Sequence, residues 1–231
     1  MKFITAVLSL LLASAAATNE QKVSSLNHVQ SEALIDVDEL DDVDTEEPNR
    51  LGRSLQNGPN AAKRMATWKQ AHNDMRKKYQ EAYGGEFAPL KWNMELKLEA
   101  ENWAKELVTT CTNKSPGAGE NPNDYGVNSA MRSGQRNFQN PVAIMNMWEK
   151  KLPLGYPKNS VMTQVLWSKT EYVGCADASS ALGAAKSCTA AVCFYAKAGN
   201  CGLGRFDGNW TQAVIAGPAC STACPSNIVE C

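Results

Sequence analysis

The sequence predicts an α+β fold built on one mixed or antiparallel sheet, and three observations carry that expectation. Apolar residues recur at three- and four-residue steps between residues 64 and 107, β-prone runs follow after Pro157, and all eight cysteines lie beyond residue 110. Helices first and strands later segregate into the layers of an α+β sandwich. An even number of cysteines staples such a fold when the chain is exported.

Residues 1–17 have the form of a secretory signal. Lys2 precedes an apolar run over 3–12, and Ala15-Ala16-Ala17 supplies the small residues of a cleavage site before Thr18. The run falls short of the about 20 apolar residues that cross a bilayer, and charge interrupts every later one, so no transmembrane segment is expected. Residues 18–60 contain no aromatic residue, and 18–50 carry ten acids against Lys22 and Arg50. Such a stretch buries too little apolar surface to offset its chain entropy, which predicts a disordered leader. Arg50-Leu51-Gly52-Arg53 suits basic-residue convertases, making 18–53 a candidate propeptide; an acidic tail that stays attached is the alternative.

The folded domain is expected over 61–231. From Arg64 to Tyr83, the residues Met65, Trp68, Ala71, Met75, Tyr79 and Ala82 make one helical stripe, ended by Gly84-Gly85. A second helix follows Pro89-Leu90-Lys91-Trp92-Asn93. Leu96, Ala100, Trp103, Ala104 and Leu107 share its inner face, with Glu99, Glu101 and Lys105 expected to point outward. Residues 113–140 are rich in Gly, Asn, Pro and Ser and predict a long irregular loop. Pro141 opens a third helix through Trp148. Beyond Pro157 the period changes, and 161–167, 172–176 and 190–195 are predicted strands.

Residues 51–231 hold 20 Lys and Arg against 14 Asp and Glu, a mildly basic domain that identifies no partner. Nowhere do Lys and Arg concentrate with interleaved aromatics, which argues against nucleic acid. The cysteines, Cys111, Cys175, Cys188, Cys193, Cys201, Cys220, Cys224 and Cys231, read as a bridge framework with about a hundred formal connectivities. A structural zinc site would need two closely spaced cysteine pairs; only Cys220 and Cys224 are so placed, and no histidine follows them. One histidine, His72, stands after the leader, four residues before Arg76 and on the same helix face. Alone, such a residue reads as a buried histidine bonded to a neighbour, since one imidazole makes neither a triad nor a metal site.

Seven segments in order resemble the CAP superfamily, which groups pathogenesis-related proteins, cysteine-rich secretory proteins and venom and helminth antigens. They are His72-Asn73 with Arg76; Leu90-Lys91-Trp92-Asn93; Ala100-Glu101-Asn102-Trp103-Ala104; Gly119-Glu120-Asn121; Thr163-Gln164-Val165-Leu166-Trp167; Val173-Gly174-Cys175-Ala176; and Val192-Cys193-Phe194-Tyr195 with Gly199-Asn200. The resemblance spans about Met65 to Gly217 and implies a three-layer α-β-α sandwich. It also implies bridges Cys175–Cys193 and Cys111–Cys188, with Cys201, Cys220, Cys224 and Cys231 paired among themselves in a cysteine-rich tail.

Members of that superfamily line a groove with two histidines and two acids, which in some hold a divalent metal. By resemblance His72 takes the first histidine position and Glu120 the first acid. The second acid is displaced: Glu149 directly follows Trp148 and precedes Lys150-Lys151. Val161 stands where the second histidine would be. One imidazole and two carboxylates are a poor zinc set, so no cofactor is expected beyond weak divalent-metal binding. A hydrolase using His72 with Glu120 or Glu149 lacks any nominated nucleophile, and the chain is read as leaning away from catalysis. Two sequons, Asn113-Lys114-Ser115 and Asn209-Trp210-Thr211, are candidate glycan sites, and Pro116 disfavours the first.

Some superfamily members bind sterols or fatty acids near the third helix and its following loop. The matching stretch supplies Ile144, Met147, Trp148, Leu152 and Tyr156, the candidate lining of an apolar cavity. The leading expectation is therefore a secreted, non-catalytic, sterol- or lipid-binding protein. The alternatives are a defence or host-interaction protein with an extracellular protein partner and, behind it, a hydrolase.

Overall fold

The computed structural model describes residues 59–117, 121, 123–134, 140–182, 186–203 and 209–228. The expected signal peptide, the leader up to residue 58, Glu120 and Cys231 lie outside them. The predicted first stripe is helix α1, Pro59–Ala82, which opens before Arg64 with proline at its start. It stops at Gly84, whose φ of 83° is open to glycine and costly for other residues. Strand β1, Lys91–Trp92, leads into α2, Met94–Thr110, where the Asn93 side chain caps the helix by accepting from the Leu96 N–H at 3.0 Å. Helix α3, Pro141–Glu149, is capped by Asn140 and carries proline in its first turn. A 3-10 turn, Leu152–Leu154, follows it. Strands β3, Tyr172–Leu182, and β4, Lys186–Ala196, pair antiparallel, and α5, Trp210–Ala216, comes last.

Three expectations are corrected. The predicted strand at 161–167 is helix α4, Ser160–Leu166. Its β-branched residues suggested a strand, but Met162, Val165 and Leu166 are all buried against other helices, and tertiary packing overrides propensity. The predicted loop over 113–140 contains strand β2, Gly126–Ser133. Little in its composition favours a strand; its eight-residue ladder with β4 makes it one. Glu101 does not point outward. It is buried, and Lys97 and Lys105, one turn before and after it, donate to its two oxygens at 2.9 and 2.7 Å.

The sheet runs β1-β3-β4-β2, with β1 parallel to β3 and the other pairings antiparallel. Alternation along β3 and β4 divides the interior in two. Val173, Cys175, Ala191, Cys193 and Tyr195 face α1, α3, α4 and α5, while Ala176, Ala178, Ala190, Val192 and Phe194 face α2. The architecture is thus an α-β-α sandwich. Cys111–Cys188 bridges the end of α2 to β4, Cys175–Cys193 joins directly opposed residues of β3 and β4, and Cys201–Cys220 closes the chain after the sheet. Cys224 is also disulfide-bonded.

Candidate functional site

One polar residue per turn of α1 is buried in the interior, His72, Arg76 and Gln80, with Asn73 half-buried beside them. His72 is fully buried. Its Nδ1 lies 2.8 Å from the Trp68 carbonyl, which can only accept, so Nδ1 carries the proton. Nε2, 2.9 Å from the Tyr195 hydroxyl, accepts from it. The Tyr195 oxygen accepts in turn from Asn128 Nδ2, which also donates to the Val161 carbonyl at 2.8 Å. Burial drives the His72 pKa from 6.5 down to about 4; the Trp68 bond opposes the fall and the Arg76 charge adds to it. The imidazole is neutral, and both its nitrogens are engaged.

Arg76 is buried as well, with main-chain carbonyls around its guanidinium. It donates to the carbonyls of Ala88, of Val165 at the end of α4, and of Trp167, Ser168 and Thr170 on the α4–β3 connection. Burial lowers its pKa to about 9. Asn73 pairs with both main-chain groups of Leu90, and Gln80 joins the Ala88 N–H to the Leu166 carbonyl. These side chains sew α1 to the segments beside it. None of the four is presented as a base at an open surface.

Glu149 lies elsewhere. Its Oε1 accepts from Lys78 at 2.9 Å and from the Tyr79 hydroxyl at 2.6 Å, clamping the end of α3 onto α1. Burial, together with this carboxylate, pushes the Tyr79 hydroxyl pKa upward. Among the described residues, the group of three metal-ligating side chains with donors within 4.8 Å is His72, Cys175 and Cys193, which leaves out Glu149. The two sulfurs are bonded to each other, and both imidazole nitrogens are spent. This donor set does not fit a metal ion.

The candidate cavity residues divide. Ile144, Trp148 and Leu152 belong to the core, and Met147 packs against it half-buried. Tyr156 is 47% exposed, as is its neighbour Leu154 at 58%. The depression that Ile144 helps line, between α3 and the sheet, is about 10 Å³, room for about one water molecule. The indole N–H groups of Trp68 and Trp148, with rings 6.3 Å apart, are buried without an acceptor. Both sequon asparagines are exposed: Asn113 accepts from Ser129 Oγ at 2.6 Å, and Asn209 caps α5.

The profile of the cysteine-rich secretory protein (CAP) family matches residues 69–195. The chain belongs to this family. Solved structures similar to the CAP domain include MpPR-1i, 20% identical over 61% of this chain and 90% of that one, with a TM-score of 0.43. A hookworm platelet inhibitor is 16% identical over 62% and 72% at 0.44, and venom allergen-like protein 4 of Schistosoma mansoni is 18% identical over 59% and 90% at 0.43. No curated protein sequence matches. In this CAP chain, the residues that sequence reasoning missed are Tyr195 and Asn128, His72's partners across the sheet. Tyr195, in a predicted strand, was the available signal, because buried polar groups need partners; Asn128 lay in the stretch read as a loop and gave none.

Proposed function

We propose that this CAP protein is a secreted, non-catalytic binding module that takes a sterol or another lipid at α3 and the turn after it. The observation that carries the reading is the exposure of Leu154 and Tyr156 beside a helix whose inner face is closed core. Val142 on α3 adds to this outer apolar strip. The locked state of His72 removes the base that a hydrolase would need.

Titration of the secreted protein with a radiolabelled sterol tests the reading. Saturable binding, weakened in Leu154→Ser/Tyr156→Ser, is the expected result. Absence of saturable binding would shift the reading to a protein that acts through extracellular protein contacts.

A further inference from the structure

Charge divides between the two helical layers. In the layer that packs on the Cys175–Cys193 face, α1 carries six bases, of which Arg76 is buried, against Asp74 and Glu81, and α3 adds Glu149. The stretch after α3, from Lys150 to Lys158, has three lysines and no acid. Helix α2, alone on the opposite face, carries four acids and two bases. The turn after α3 also combines exposed Lys150 and Lys158 and half-exposed Lys151 with the exposed apolar side chains Leu154 and Tyr156. Gly155, at φ 69°, turns the chain between those two.

We propose that this turn docks the protein onto an anionic lipid surface, with Leu154 and Tyr156 entering the headgroup region and Lys150, Lys151 and Lys158 lying against the phosphates. Lysine stems carry their charge outward from an apolar anchor, and tyrosine favours the membrane interface. Basic side chains near an anionic leaflet each add attraction that salt screens. Two exposed apolar side chains are too small for a protein interface of about 800 Å² per partner, but they suit shallow interfacial insertion. The opposite layer, net acidic, faces away from the surface. Docking shares two residues with the lipid-uptake reading but does not rest on it, since no ligand needs to leave the bilayer.

Flotation of the secreted protein with sterol-free vesicles tests this. Vesicles of phosphatidylcholine with about 30% phosphatidylserine should retain it at low salt and release it near 0.5 M salt, and pure phosphatidylcholine should not retain it. Leu154→Ser/Tyr156→Ser and Lys150→Glu/Lys151→Glu/Lys158→Glu should each weaken retention about tenfold or more, with an unchanged thermal midpoint. Three results would overturn the proposal: no retention at low salt, equal retention by neutral vesicles, or retention indifferent to Leu154 and Tyr156 and competed by heparin. The last would mark a general polyanion site. Because the vesicles hold no sterol, failure here and failure of sterol uptake are separate results.

Discussion

His72 shows how far one residue's environment departs from its sequence context. Its folded pKa of about 4 lies below the ordinary 6.5, so between those values the unfolded chain binds a proton that the folded chain refuses. Stability attributable to His72 is therefore full above about pH 6.5, falls as pH drops toward 4, and stays level below it. The loss amounts to about 3 kcal/mol. The groups facing it are Arg76, Tyr195 and the Cys175–Cys193 disulfide, and none ionises in that window. Urea midpoints from pH 7 to pH 4 should trace this fall in the native protein and lose most of it in His72→Phe. Arg76 makes the neighbouring prediction. Arg76→Met leaves several buried carbonyls without a donor and should cost about 3 kcal/mol or more, read as a lowered urea midpoint or as loss of folded protein on expression. His72 was legible as a buried histidine from its isolation in the sequence, whereas the resemblance placed it in a groove. Its position on α1 settles where the ring goes.

Among the elements, those with a clean period were legible. The stripes of α1 and α2 and the runs of β3 and β4 each declare one buried face. β2 and α4 were not, for opposite reasons. β2 carries little strand propensity and exists because β4 offers it a ladder; α4 is apolar on several sides, so its composition cannot separate helix from strand. The contact between α2 and β3 depends on Gly174. A Cβ there would sit 2.2 Å from the Lys97 nitrogen and 2.7 Å from the Asn93 carbonyl oxygen, main-chain atoms that cannot move without shifting the helix. Gly174→Ala should lower the thermal midpoint sharply or prevent folding. Gly199→Ala, which meets Cβ and Cγ of the buried Trp167 at 2.6 and 2.5 Å, should also lower the thermal midpoint.

For the whole molecule, the disulfides differ in what they constrain. Cys111–Cys188 spans 77 residues and joins the α2 layer to the sheet; Cys201–Cys220 spans 19. In a chain-entropy account, closing the longer loop restricts the unfolded chain more, by about 1 kcal/mol. Paired alanine substitutions should therefore lower the urea midpoint more at Cys111/Cys188 than at Cys201/Cys220. The overall α-β-α architecture was legible through the resemblance, since seven short segments in one order span the domain. The candidate site was legible only in part, because the side chains that complete it come from strands distant in sequence.

The carbonyl cage around Arg76 also bears on the order of assembly. Four of its five acceptors stand about 90 residues downstream, so a nascent chain has α1 long before it has the pocket that receives the guanidinium. Until the α4–β3 connection arrives, sinking that face of the helix would strand a bare cation in an apolar medium. The guanidinium therefore makes burial of that face of α1 costly until its carbonyl acceptors are in place.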